Sequence, residues 1–509
     1  MSAATKFPFV IPLIRIVQYQ RGDVCWRMHQ ALCIDEILQV IFDICLESEK
    51  KSLCCLARCC KAWKDPALDR IWGTLLSIKP LLTLIPDTSC INRTIVIGPP
   101  SSCPNLTTFY SYARRVKRIT CQQNVTLYPS ALSNITGSVN DLIPNLAFAR
   151  IDANGWGELQ TQLSTSTKLR TLELDLGFNK ERVARNAIFA VKLLTQVVKS
   201  TELDCLSIRG TISDDFIHPL KSLTFLRSLT LHVSNSLTAN TLMTVSTLPN
   251  IIELDIQAGK IDVEQLSDAI CAGSHQFALF PSLQNLRIRA HSRVADCIIR
   301  NLPSQTLRTL RIDAAMPAEP PSAWSDVFRT IAAISSTTLH DLTIEHSIDE
   351  LDLDDTQPSP FNHFRLDDLR PLYKLPLKRF ILDTLAPPDL ADCDIEELAK
   401  WWPLLEKLEL GAPATSECLG DQWQSKITIS TLAILAQHCR KLEHLVVNMN
   451  TTSTISLENL KTHPQPHPLR QLTIGSHCPQ KPHLLFPYID HLFPSLVEVH
   501  SGIEQDNSD

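Results

Sequence analysis

The sequence predicts a mixed α/β chain in two parts: a short all-helical segment near the N terminus and a long stack of repeated strand–helix units after it. Three observations predict this. A triplet of apolar residues, spaced x-x and then x, recurs from about residue 116 onward at intervals of 23 to 38 residues. Stretches of 3.6-residue periodicity lie between the copies, as strand and helix alternation requires. Residues 32–75 carry helical periodicity and no strand alternation.

The bulk composition fits that division. A chain of 509 residues exceeds one ordinary compact core, so it holds several domains or an elongated repeat. Hydrophobic residues at 44 % and charged residues at 20 % describe a folded chain. A net charge of −6 and a pI near 6.2 give no global attraction to nucleic acid or to an anionic membrane, so neither is expected as a partner. No stretch approaches the ~20 apolar residues of a spanning helix. Residues 7–17 are apolar, but Pro8, Pro12 and Arg15 interrupt them and no clean cleavage site follows, so they do not read as a secretion signal. The 17 scattered cysteines predict reduced thiols and a cytoplasmic and/or nuclear location, where the Asn-x-Thr sequons at Asn92, Asn105, Asn124, Asn134 and Asn450 carry no meaning.

In the N-terminal segment, Ile34, Ile37, Leu38, Ile41 and Cys45 follow the spacing of an amphipathic helix, and Phe42 widens the stripe. Asp35 and Glu36 sit in its first turn, where negative charge is favoured. A second helix is expected over the stretch SLCCLARCCKAW, on Leu53, Leu56, Ala57 and Cys60. Asp65 followed by Pro66 predicts the cap and first turn of a third helix carrying Leu68, Ile71, Trp72 and Leu75. Three short helices cannot hide that much apolar surface, Trp63 and Trp72 included. The surplus either docks on the rest of the chain or meets a partner.

The run ALCIDEILQVIFDICL, followed by LARCCKAWKDPALDRIWGTLLSIKPLL, resembles the F-box, and in particular the form abundant in basidiomycete fungi. The likeness covers roughly residues 31–82, and its most specific part is Lys61-Ala62-Trp63-Lys64-Asp65-Pro66-Ala67-Leu68-Asp69. One residue departs: the family has proline after the first isoleucine, where this chain has Asp35, which implies weaker adaptor binding. The family also often begins close to the motif, as Met28-His29-Gln30-Ala31-Leu32 does here. The expected organisation is a disordered tail over 1–27, an F-box over 28–82, a linker or capping segment over 83–115, repeats over 116–500 and a short disordered tail over 501–509.

The repeat triplets are Val116-Ile119-Cys121, Leu169-Leu172-Leu174, Leu203-Leu206-Ile208, Leu226-Leu229-Leu231, Ile251-Leu254-Ile256 and Leu283-Leu286-Ile288. They continue at Leu307-Leu310-Ile312, Leu339-Leu342-Ile344, Leu377-Phe380-Leu382, Leu405-Leu408-Leu410, Leu442-Leu445-Val447 and Leu469-Leu472-Ile474, with weaker copies near Leu146 and Leu496. This is the leucine-rich-repeat pattern with irregular lengths. Each short strand points its leucines into a shared core, and no unit can bury its face alone, so the units must stack. The expected body is a curved solenoid of about twelve to fourteen repeats with a parallel strand of each on the concave face. Helical halves are expected at Arg182–Ser200, on Ala187, Val191, Leu194 and Val198, at Val327, Ile331 and Ile334, and at Ile395, Leu398 and Trp402. The asparagine that often follows the strand is mostly missing, and LDLDDTQPSP predicts a loop or bend around 346–376.

The variable strand residues of such a body form its natural contact surface. They are Thr171, Glu173, Asp175, Arg209, Glu253, Asp255, Arg287, Arg289, Arg311, Asp341 and Glu345. Arg287, Arg289 and Arg311, flanked by Glu253 and Asp255, are the candidate substrate-binding group, since arginine suits bidentate anion binding. The competing reading is a solvated face whose carboxylates neutralise those arginines.

No phosphate-binding glycine loop, nucleophile elbow, HExxH or CxxC motif occurs, so no catalytic residue, metal or cofactor is expected. Cys54, Cys55, Cys59 and Cys60 invite zinc, but they fall on one expected helix, with Cys60 at a core position, whereas zinc needs converging pairs. The His463–His467 stretch reads as a proline-rich connector, and the basic run Arg114, Arg115, Lys117 and Arg118 as a solvated helix end. The resemblance implies a non-catalytic substrate adaptor of a Skp–cullin–F-box ubiquitin ligase. It would bind the Skp-type adaptor, and through it a cullin, by Ile34, Ile37, Leu38, Ile41, Phe42, Trp63, Leu68 and Trp72, and a target protein by the repeats. The alternative is a repeat scaffold with a degenerate F-box and no ligase role.

Overall fold

The structure is a computed structural model that describes residues 34–48, 50–86, 88–91, 94–97, 106–121, 126–127, 142–152, 166–178, 183–212, 214–233, 237–272, 278–315, 319–346, 363–384, 387–411, 424–451, 466–475 and 482–501. The expected tail at 1–27, the sequence LDLDDTQPSP and His463 lie outside the described residues, as does the expected tail at 501–509 except Ser501, which ends the last strand. The chain divides into two compact units, one ending at Thr74 and the other beginning at Leu75.

The first unit is three helices, α1 (Asp35–Ser48), α2 (Lys50–Cys59) and α3 (Lys61–Gly73). Leu38 and Phe42 of α1, Leu53 of α2 and Ala67 of α3 form its buried centre. Ile41, Cys45, Leu46, Leu56, Ala57, Trp63 and Ile71 pack around them. The Trp63 indole meets the Phe42 ring edge-on, with centroids 6.3 Å apart. Arg70 Nε of α3 donates to Asp43 Oδ1 of α1 at 2.6 Å, which fixes the outer helices against each other.

Two sequence expectations change here. The second helix stops at Cys59, because Cys60 is extended (φ −154°, ψ 164°) and starts α3 instead. The third helix therefore begins four residues before the expected Asp65 cap, with Pro66 inside it. Beginning at Lys61 brings Trp63 onto α3, where it reaches the Phe42 ring. That packing outweighs the single backbone hydrogen bond that proline removes.

The second unit is built on strands β1 (Thr74–Leu75), β2 (Thr88–Ile91), β3 (Thr94–Ile97), β4 (Arg118–Cys121), β5 (Thr126–Leu127), β6 (Phe148–Asp152), β7 (Thr171–Asp175), β8 (Cys205–Gly210) and β9 (Ser228–Val233). It continues with β10 (Glu253–Gln257), β11 (Asn285–Ala290), β12 (Thr309–Ala314), β13 (Asp341–Glu345), β14 (Arg379–Asp383), β15 (Lys407–Leu410), β16 (His444–Asn448), β17 (Gln471–Gly475) and β18 (Glu498–Ser501). Fifteen of these form one sheet in chain order, β1 first, then β4, then β6 through β18. In this sheet β4 and β6 through β18 coincide with the predicted triplets and their two weaker copies, and each pairs parallel with the next, as β10 does with β11 and β17 with β18. A small sheet of β2, β3 and β5 lies in and beyond the expected linker, where no strand pattern was legible.

Register explains why the leucines repeat. Leu206, Leu229, Leu254, Leu286, Leu310, Leu342, Phe380, Leu408, Leu445 and Leu472 stand in one continuous row across the sheet. All of them are buried, so each repeat covers its neighbour's apolar face. A second ladder runs just before the strands. Arg227 N donates to Asp204 O at 2.8 Å, Ile252 N to Arg227 O at 2.8 Å, Gln284 N to Ile252 O at 2.9 Å, and so on to Val497 N on Arg470 O at 2.8 Å. From β6 to β18, each turn into a strand is thus held by the turn before it.

The helices cover the other side with small adjustments of phase. Val183–Ser200 buries Ala187 and Leu194 as expected, but with Ala190, Leu193 and Val197 rather than Val191 and Val198, which are only half-buried. Pro321–Ile334 buries Val327 and Ile331, and Asp392–Trp401 buries Ile395 and Leu398, with Trp402 buried just beyond.

Candidate functional site

Two surfaces bear on function, one in each unit. The first is on α1. At 100° per residue, Leu38 and Phe42 lie on one side of the helix, while Ile37, Val40 and Ile44 fall together on a neighbouring side. The buried side is full: Leu38 is 4 % exposed and Phe42 1 %. The neighbouring side is bare: Ile34 is 45 % exposed, Ile37 39 %, Val40 59 % and Ile44 54 %. Among the described residues of the unit, an apolar stripe this open is left without cover.

The adaptor-binding residues expected from sequence therefore separate. Ile34 and Ile37 are on the surface. Leu38 and Phe42 are buried in the core of the unit. Trp63 is half-buried against the same core, whereas Leu68 and Trp72 are half-buried outside it. Val40 and Ile44, not named from the sequence, share the exposed side with Ile37; their signal is the i, i+3, i+7 spacing from Ile37, which overlaps the stripe of the buried side.

The second surface is the face of the long sheet that bears the polar strand residues. Register sets three rows there. The central row reads Arg150, Glu173, Ser207, Thr230, Asp255, Arg287, Arg311 and Thr343 from β6 to β13. Glu253 lies in the row on one side, and Arg289, Asp313 and Glu345 in the row on the other.

Across β9 to β13 these rows close into a chain of ion pairs. His232 Nε2 is 2.9 Å from Asp255 Oδ1. Arg287 Nη1 is 3.9 Å from Asp255 Oδ2, and its Nη2 is 4.0 Å from Glu345 Oε1. Arg311 Nε donates to the same Glu345 oxygen at 2.6 Å. Arg287 and Arg311 are thus brought together, but on a shared carboxylate. Arg289 is half-buried in the next row, and Glu253 accepts from Asn285 Nδ2 at 3.5 Å. A second group spans β15 to β18: Lys407 and His444 on Glu409 at 2.8 and 3.0 Å, His444 on Gln471 at 2.7 Å, and Gln471 on Glu498 at 2.8 Å.

Arg287 and Arg311 of this face are therefore already engaged by carboxylates. Arg287 and Arg311 already face Asp255 and Glu345, so a bare phosphate would have to displace a carboxylate held at hydrogen-bond distance. A protein surface with its own mixture of acids and bases can trade partners with the chain of pairs and lose little.

Beside this face, His346 has both ring nitrogens buried with no hydrogen-bond partner among the described residues. Burial pushes its pKa below the usual histidine value, against the pull of Asp313 and Glu319. In the body, burial also pushes the Cys439 thiol up to about 12, which makes it an inert packing group. The cysteines of α2 differ: Cys54, Cys55 and Cys59 are all exposed, and Cys60, expected at a core position, is half-buried just beyond the helix.

No family model matches the sequence, and no curated protein matches it. Among solved structures it is similar to an internalin of Listeria monocytogenes, at 17 % identity over 66 % of this chain and 88 % of that one, with a TM-score of 0.29. It is also similar to a leucine-rich-repeat protein of Leptospira interrogans, at 15 % identity over 77 % of this chain and 98 % of that one, with a TM-score of 0.33. The leucine-rich-repeat character of the body stands on its own register and on the burial of its leucine row.

Proposed function

We propose that this chain is a non-catalytic substrate adaptor of a Skp–cullin–F-box ubiquitin ligase, working in the cytoplasm and/or nucleus. The three-helix unit binds a Skp-type adaptor and through it a cullin; the repeats hold a target protein. Ligation then proceeds by proximity, because tethering a target lysine beside the charged conjugating enzyme raises its effective concentration. No residue of this chain forms a covalent bond in that scheme.

The observation that carries the reading is the bare stripe of Ile34, Ile37, Val40 and Ile44 on a unit whose own core is complete. It lies within the segment whose sequence resembles an F-box. The target-binding assignment rests on the sheet face, with Asp255, Arg287, Arg311 and Glu345 at its centre and Glu253 and Arg289 beside them. A leucine-rich-repeat scaffold with a degenerate F-box is the other reading, and Asp35 at the opening of α1 favours it.

Size-exclusion chromatography of the full chain with a purified Skp-type adaptor tests the proposal. A co-eluting complex is expected. A chain that elutes alone refutes the ligase role and leaves the scaffold.

A further inference from the structure

The exposed thiols of α2 have no part in the proposed function, and their placement is specific. Cys55 and Cys59 are one helical turn apart, so they share a face, and both are exposed. The Cys59 thiol sits 3.2 Å from the Cys55 carbonyl oxygen, so it is folded back along the helix toward Cys55. Lys51, one turn before Cys55, is exposed on the same face, and exposed Arg58 adjoins Cys59.

Distance decides what such a pair can do. Side chains four apart on a helix have Cβ atoms about 5–6 Å apart. A disulfide needs a Cβ separation of about 3.5–4.5 Å, so the pair cannot close one without breaking the turn. Two metal–sulfur bonds of about 2.3 Å span up to ~4.6 Å between sulfurs, which adjacent turns accommodate. Tetrahedral zinc requires further ligands. Cys54 points about 100° away around the helix. Among the described residues no group of three or more His, Cys, Asp or Glu side chains is placed to hold a metal ion. The described residues therefore leave the pair as a two-coordinate centre, and thiolates favour soft monovalent copper over hard cations.

We infer that Cys55 and Cys59 form a two-thiolate site for copper(I). Each thiol releases its proton to water as its sulfur–copper bond forms; copper stays monovalent and no electron is transferred. The bis-thiolate centre carries one negative charge, which Lys51 and Arg58 offset.

The full chain, reduced and handled without oxygen, is offered copper(I) in the presence of excess glutathione. This monothiol competitor lacks the chelate advantage of two tethered thiols. Retained copper is then counted after gel filtration. Wild type is expected to retain more copper than Cys55→Ser or Cys59→Ser, and Cys54→Ser to match wild type. Equal copper in wild type and Cys55→Ser overturns the site, as does an equal loss in Cys54→Ser. X-ray absorption of the copper-loaded wild type is independent of any variant's folding. A two-sulfur shell is expected, and three or four sulfurs overturn the proposal. Zinc(II) offered the same way is expected to be retained equally by wild type and Cys55→Ser, and a zinc deficit in the variant overturns the two-coordinate assignment.

Discussion

Replacing Val40 and Ile44 together by glutamate should abolish adaptor binding and leave the helical unit folded. Val40 and Ile44 keep 59 % and 54 % of their surface exposed. A partner that covers this remainder gains about half of the ~1.5–3 kcal/mol of full burial, or about 1 kcal/mol for each side chain. Loss of both contacts is worth ~2 kcal/mol, about 30-fold in Kd, before the cost of desolvating two carboxylates adds to it. Folding should change little, since exposed substitutions usually fall within about 0.5 kcal/mol. Phe42→Ala is the contrast. That ring is 1 % exposed at the centre of the unit and meets Trp63, so its loss should cost ~3–5 kcal/mol and unfold a unit this small. The assay is isothermal titration of a Skp-type adaptor into each variant, with thermal unfolding recorded alongside. Wild-type affinity in the double glutamate variant, with its melting unchanged, would refute the assignment of the stripe as the contact surface.

Three further outcomes follow from single positions. Asp35→Pro should preserve α1, because residue 35 is the first of the helix and proline is favoured there; titration should show tighter adaptor binding, and weaker binding would count against the F-box likeness. Gly210→Ala should lower the unfolding free energy by ~1–3 kcal/mol from backbone strain at φ +116°, with more from a Cβ only 2.6 Å from the Gly177 carbonyl oxygen; an unchanged denaturation midpoint would contradict that geometry. His346→Leu should reduce the loss of stability as pH falls below the ordinary histidine value of about 6.5. Burial lowers the folded-state pKa of His346, so the unfolded chain takes up the proton first. Its contribution is present above the ordinary histidine value near 6.5 and is lost as pH falls below it toward the folded value. Equal pH dependence of melting in wild type and variant would exclude His346 as the source.

The repeat body was readable because its cause is local and repeated. A leucine at one position of each unit meets a leucine at the same position of the next, so a one-dimensional spacing carries the three-dimensional contact, as Leu254, Leu286 and Leu310 show. The β2–β3–β5 sheet has no such repetition to reveal it.

The amino-acid order by itself determined that the chain has helices first and stacked strands after, that Leu229 or Ile288 faces inward, and that charges line the strands between them. Only the tertiary structure decided which of two adjoining apolar stripes on α1 is core and which is surface. Periodicity reports that a side of a helix is greasy, while burial depends on where α2 and α3 lie, and they take Leu38 and Phe42 and leave Val40 and Ile44. The same holds for Arg287 and Arg311. Their spacing placed them on one face, but the carboxylate they share, Glu345, comes from a later strand, and parallel pairing alone brings it within reach.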